Sequence, residues 1–191
     1  MHMSMYNSQS GVGLIEAMVA LLLLAVAVLG FSAMQLNAVK ATDESLMRTQ
    51  SISAIKTLSE SMRILPDSSP LYRKQINDIY KSSTYSNESL IGSYCTKADT
   101  YASTAKNCNT ANCNSEEMVK YNVSAIIKSA CSKDIALNVE VCPNTSGVNE
   151  RQCIIASWNQ TKPTMTDENA SCTDASGSYK PEASCFIMEA Y

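Results

Sequence analysis

From Ala17 to Leu36 no side chain carries a charge, and directly before that run stands a carboxylate, Glu16. Twenty such residues match the length a helix needs to cross about 30 Å of hydrocarbon. An acid costs roughly 2.5–3.5 kcal/mol at the centre of a membrane and less near its surface, so an acid at the mouth of this run is a functional candidate. The plainer reading places Glu16 among the headgroups, as an acid in the first turn of a helix where the macrodipole favours negative charge.

The helix is expected to continue beyond Leu36. No proline interrupts the chain from Val12 to Leu65, and Pro66 then closes it. Apolar residues recur at Val39, Met47, Ile52, Ile55, Leu58, Met62 and Leu65, with Lys40, Asp43, Glu44, Arg48, Lys56, Glu60 and Arg63 between them. The pattern predicts one helix of about 54 residues, roughly 80 Å long. Residues 12–36 form its transmembrane half and residues 37–65 an amphipathic half that lays one stripe against a head of residues 66–191.

That head is short of large apolar side chains. The whole chain has one Trp, two Phe and nine Tyr, and small domains of this kind need covalent staples. Eight cysteines are present, all after residue 94, which reads as a disulfide framework formed in an oxidising compartment. A metal site is not indicated, because no Cys-x-x-Cys occurs and the one His is His2. With a net charge of −3 and a pI near 5.2, no basic face for nucleic acid is expected. The five Asn-x-Ser/Thr triplets, which begin at Asn87, Asn122, Asn144, Asn159 and Asn169, are what chance supplies in an Asn- and Ser-rich chain.

Within the head, Leu71 to Tyr80 predicts a short helix carrying Tyr72, Ile76, Ile79 and Tyr80, and the remainder up to Asn114 reads as loop. Asn114 then opens a further helix with Glu117 three residues on, a capping-box arrangement. Met118, Val119, Val123, Ile126, Ile127 and Ala130 supply its apolar face. Ile135, Leu137, Val139 and Val141 alternate with polar or small neighbours, the pattern of a half-buried strand. Cys153 to Trp158 is a second strand and Ser184 to Tyr191 a third, while 159–182 reads as a long polar loop. The simplest assembly is an α+β fold in which a small antiparallel sheet packs on the upper half of the long helix.

Nothing in the chain points to catalysis. Ser53–Lys56 and Ser103–Lys106 match Ser-x-x-Lys, but without companion motifs the match is surface decoration. No phosphate loop, nucleophile elbow or His-containing constellation occurs, so neither an enzyme nor a cofactor is expected.

A short polar leader ends in Gly11-Val12-Gly13-Leu14-Ile15-Glu16, and Ala17-Met18-Val19-Ala20-Leu21-Leu22-Leu23-Leu24 follows. This arrangement resembles the prepilin signature, and its wording is most similar to the PilV branch of type IV pilus minor pilins. The resemblance implies that residues 1–11 are a leader, which prepilin peptidase removes by cutting between Gly11 and Val12. Val12 is then methylated, and Glu16 becomes the fifth residue of the mature chain. As subunits stack, the Glu16 carboxylate of one meets the terminal amine of its neighbour. Each charge is costly alone and tolerable when paired, so the pair fixes register more than it adds stability.

The resemblance further implies a pilin-like fold and a bacterial inner-membrane location with a periplasmic head before assembly. After assembly the chain sits in the extracellular pilus, at the tip. Its expected partners are other minor pilins, the major pilin and the inner-membrane assembly machinery. Its function in that setting is to help prime pilus assembly. Two alternatives remain at this point: a minor pseudopilin of type II secretion, and a membrane-tethered, disulfide-rich binding module. Among the cysteines, Cys113 and Cys131 bracket a helix about 25 Å long and cannot bond each other. Cys142 and Cys153 flank a hairpin turn and form a candidate pair. Cys172 and Cys185 would clamp the polar loop to the last strand, as a C-terminal disulfide does in many pilins. Cys131 is left to bond either Cys95 or Cys108.

Overall fold

A computed structural model describes residues 13–83, 90–147 and 150–190 of the chain. Packing divides it into two units, Met1–Glu44 and Ser45–Tyr191. One helix, α1 (Leu14–Ile64), starts in the first and ends in the second.

From Ala17 to Leu36, within the first unit, α1 is apolar on every side. Leu21, Leu22, Leu23 and Leu24 occupy successive positions around the axis, and all are at least 60% exposed. Among the described residues α1 is the one helix long and apolar enough to cross a membrane, and none of its most apolar stretch is buried inside the protein. A helix hydrophobic all round is stable only when lipid or other apolar helices surround it. Its few hydroxyls are dealt with internally: Ser32 Oγ donates to the Val28 carbonyl and Thr42 Oγ1 to that of Ala38, each at 2.9 Å.

In the second unit α1 becomes one-sided, burying Ser51, Ile55, Leu58 and Met62 at 4,3,4 spacing. Leu65 leaves helical geometry (φ −123°, ψ 68°), as expected of a residue before proline, and a 3-10 turn over Pro66–Ser68 leads into α2 (Ser69–Ser82). α2 buries Tyr72, Ile76 and Ile79. The segment expected to be loop instead holds a further helix, α3 (Leu90–Ser103), which buries Leu90, Ile91, Tyr94 and Ala98. These recur every three or four residues, and the pattern is hidden because Ser, Thr and Tyr fill the positions between. α4 (Ser115–Cys131) begins with both bonds of the capping box, Asn114 Oδ1 accepting from Glu117 N–H at 2.8 Å and a Glu117 carboxylate oxygen accepting from Asn114 N–H at 3.0 Å.

The strands β1 (Ala136–Val141), β2 (Gln152–Ser157) and β5 (Cys185–Ala190) form an antiparallel sheet in the order β1-β2-β5. Leu137 lies opposite Ala156 and Val139 opposite Ile154, while Met188 pairs with Ile154 on the other side. One face of the sheet, with Leu137, Val139, Ile154 and Ala156, joins the buried residues of α1, α2, α3 and α4 in the main core. Where α1 meets β5, the Arg48 guanidinium lies 5.5 Å from the centre of the Phe186 ring.

Two features of the sheet differ from the expectation of a half-buried β1 beside a long loop. The loop contains two short parallel strands, β3 (Lys162–Met165) and β4 (Ser171–Thr173). They pair through polar residues, Thr164 and Thr166 both bonding the Ser171 hydroxyl, so no apolar alternation announces them. This second layer covers the far face of the main sheet, where Ile155, Met165, Cys142, Cys153 and Cys172 form a second core. Asn138 on β1 is consequently fully buried and donates through Nδ2 to the Pro163 carbonyl at 3.0 Å.

Hydrogen-bond parity shows how β1 is closed on its free side. Cys142 N–H donates to Arg151 O opposite it, so the backbone groups of Leu137, Val139 and Val141 point away from β2. The Leu137 carbonyl accepts the hydroxyl of fully buried Tyr94 on α3 at 2.8 Å. Burial pushes the Tyr94 phenol well above its ordinary value, partly offset by that bond.

Candidate functional site

The N-terminal site lies on the first turn of α1. Glu16 N–H donates to the Gly13 carbonyl at 2.9 Å, which starts the helix three residues before the carboxylate. Glu16 is exposed, flanked by Leu14 and Ile15 at 80% and 76% exposure. Its carboxylate makes no ion pair with any described residue. The arrangement is an acid set in an uncovered apolar surface, at the helix end where its charge is favoured. Gly11 and Val12, the expected cleavage and methylation positions, lie outside the described residues.

All eight cysteines are joined in the head: Cys95–Cys131, Cys108–Cys113, Cys142–Cys153 and Cys172–Cys185. Of the two partners left open for Cys131, the structure takes Cys95, tying α3 to the last residue of α4. Cys108 closes instead on Cys113, across a turn just before the Asn114 cap. Cys142–Cys153 joins the two strands at the turn end of their hairpin, and Cys172–Cys185 ties the second layer to β5. Among the described residues no cluster of His, Cys, Asp or Glu is arranged to hold a metal ion.

The sequence gives less warning of an open cleft in the head, of about 470 Å³, walled by α2 on one side and by β1, β3 and the turn after β3 on the other. Arg73, Asn77 and Lys81 line it from α2 at intervals of four, so they form one stripe along that helix. Tyr80 adds an aromatic ring, and burial pushes its phenol up to about 12, with Thr164 as hydrogen-bond partner and the Glu168 and Glu140 charges adding to the rise. Opposite stand Glu140 and Glu168. The Glu140 carboxylate accepts from Asn138 Nδ2 and from Met165 N–H, both at 3.1 Å. Burial raises its pKa despite the Met165 bond and the positive charge of Lys81. The four-residue interval Arg73-Asn77-Lys81 was the available signal, but its opposing wall comes from residues 140–168, far along the chain.

The chain combines an uncovered apolar helix of membrane-spanning length with an α+β head. The family model for type IV pilin Tt1218 matches residues 33–124. The prokaryotic N-terminal methylation motif matches residues 6–32, a span that includes Gly11, Val12 and Glu16. The chain is similar to both, and together they support a pilin role with a prepilin leader. Such a role carries processing by prepilin peptidase, anchoring in a membrane and assembly with other pilins. No curated protein and no solved structure matches the chain.

Proposed function

We propose that this protein is a minor pilin of the PilV type, which takes part in priming type IV pilus assembly and sits in a tip complex with other minor pilins. The observation that carries the reading is the acid on the first turn of an uncovered apolar helix, inside the matched methylation motif. In this reading residues 1–11 are removed at the inner membrane and residues 12–36 hold the subunit there. The stretch 37–65 carries the disulfide-rich head, 66–191, on the periplasmic side until the subunit enters the extracellular filament. Glu16 pairs with the Val12 amine of an adjoining subunit, a contact that sets register because an unpaired charge among apolar helices is strongly unfavourable. The head has the sparse core and dense covalent cross-linking of a domain built for an oxidising compartment.

Intact-mass measurement of the protein isolated from its native membrane tests the reading directly. The mass should correspond to a chain starting at Val12 with one added methyl group and four disulfides. A chain that retains Met1, or one that starts beyond residue 30, overturns it. Co-purification of the processed chain with other minor pilins in detergent tests the tip complex. Normal pilus assembly in a strain lacking the gene would remove the priming role.

A further inference from the structure

We propose that Cys108–Cys113 is a thiol-exchange site, at which the thiolate of another molecule attacks Cys108 and expels Cys113 while the head stays folded. Packing sets this disulfide apart. Cys95 and Cys131 pack against the main core, and Cys142, Cys153, Cys172 and Cys185 belong to or pack against the second. Cys108 and Cys113 join neither core. Both are half-buried, and every other residue from 106 to 116 is exposed to solvent. The bond closes a span of only 5 residues. An incoming thiolate therefore has access to it, and breaking it frees a short surface turn without opening packed side chains.

The two ends of α4 then grade the leaving groups. Cys113 directly precedes the Asn114 cap, at the positive end of the helix, where a thiolate is favoured. Cys131 is the last residue of the same helix, at the negative end, where a thiolate is disfavoured. Lys106 adds to the difference, because its ammonium donates to the Asn112 carbonyl at 2.7 Å, one residue before Cys113. The opposing charges in this first turn are Glu116 and Glu117. Glu117 is held by Lys106 at 3.2 Å and by the Asn114 N–H at 3.0 Å, while Glu116 is exposed and screened by water.

The two sulfurs of the bond are also unequal. Cys108 Sγ lies 3.6 Å from the Lys106 carbonyl oxygen and 3.7 Å from that of Glu117. Negative charge is unfavourable beside two carbonyl oxygens, so the electron pair departs on Cys113. The incoming sulfur bonds to Cys108 Sγ, the Cys108–Cys113 bond breaks, and Cys113 is left as thiolate. No net oxidation occurs, and return attack by Cys113 on Cys108 releases the incoming thiolate and restores the turn.

Reduced glutathione, a cysteine-containing tripeptide, is the probe. The full chain, in detergent micelles with its disulfides intact, is incubated with glutathione near neutral pH, quenched with acid and labelled with N-ethylmaleimide. Peptide mass mapping should find glutathione on Cys108 and the label on Cys113 before any change at the other cysteines, with far-UV circular dichroism unaltered. Two single variants test the asymmetry without exchange. In Cys108→Ser the free Cys113 should be alkylated by iodoacetamide with a pH midpoint below the ordinary thiol value of about 8.5, and in Cys113→Ser the free Cys108 with a midpoint above it. Four results would each overturn the proposal: no exchange up to about 10 mM glutathione, the cytosolic order of magnitude for such thiols; glutathione on Cys113 in place of Cys108; earlier exchange at another disulfide or only with loss of helix signal; or equal midpoints in the two variants.

Discussion

The hydroxyl of Tyr94 on α3 donates to the carbonyl of Leu137 on β1 at 2.8 Å, with both residues fully buried. This one bond caps an outward-pointing carbonyl of the sheet and fixes the helical layer against it. Tyr94→Phe keeps the ring and removes the donor, leaving the Leu137 carbonyl buried and unpaired. The variant should lose about 1–3 kcal/mol of stability, read as a lower midpoint in urea with an unchanged slope.

Glu140 gives the head a pH dependence of known sign. Burial raises the folded pKa of its carboxyl above the ordinary value of 4.5, so the folded state holds this proton more tightly than the unfolded chain. The contribution is most favourable below the unfolded value and declines as pH rises through the raised folded value. Glu140→Gln cannot ionise. The stability difference between wild type and Glu140→Gln, followed by urea titration across this interval, should shift in favour of the variant as pH rises and level off above it.

The disulfides should differ in worth according to the loops they close. Cys95–Cys131 spans 36 residues and Cys108–Cys113 spans 5. Loop-closure entropy assigns them about 4 and about 2 kcal/mol respectively. Replacing Cys95 and Cys131 together by Ser should therefore lower the thermal midpoint more than the same change at Cys108 and Cys113. Calorimetry on the two double variants compares them directly.

For Glu16 the expected result separates processing from assembly. Glu16→Ala should still be cut after Gly11 yet fail to enter filaments, whereas Gly11→Ala should accumulate uncut in the membrane. Immunoblots of membrane and sheared-filament fractions distinguish the two. Wild-type incorporation of Glu16→Ala would remove the register role proposed for the carboxylate.

The elements legible in the sequence are those whose apolar residues repeat without interruption or whose ends carry a dedicated cap. α1 ends where Pro66 says it must, Asn114 and Glu117 announce α4, and the alternation from Ile135 to Val141 marks β1. α3 escapes because Gly92, Ser93, Thr96 and Lys97 dilute a regular stripe of Leu90, Ile91, Tyr94 and Ala98. β3 and β4 escape for a different reason: the Thr164, Thr166 and Ser171 hydroxyls satisfy one another, so buried strands look like surface loop. The same hidden layer explains why Asn138, polar and expected at a solvent face, has no exposed surface at all. At the N-terminal site the residue pattern was plain, because a charge beside twenty uncharged positions needs no tertiary context to be noticed. The cleft depends on α2 meeting a distant strand pair, and spacing along one helix shows only half of it.

The nesting of Cys108–Cys113 inside Cys95–Cys131 has a consequence for how the molecule matures. An oxidant that joins thiols strictly in order of appearance would link Cys95 to Cys108 and strand Cys113 with Cys131, at opposite ends of α4, where a 17-residue helix keeps them about 25 Å apart. The native pattern is reached if Cys108 closes on Cys113 before it meets Cys95, or if thiol exchange reopens an early Cys95–Cys108 bond by thiolate attack. The yield of correctly knitted heads would then be governed by which partner Cys108 meets first, rather than by the rate at which the chain is made.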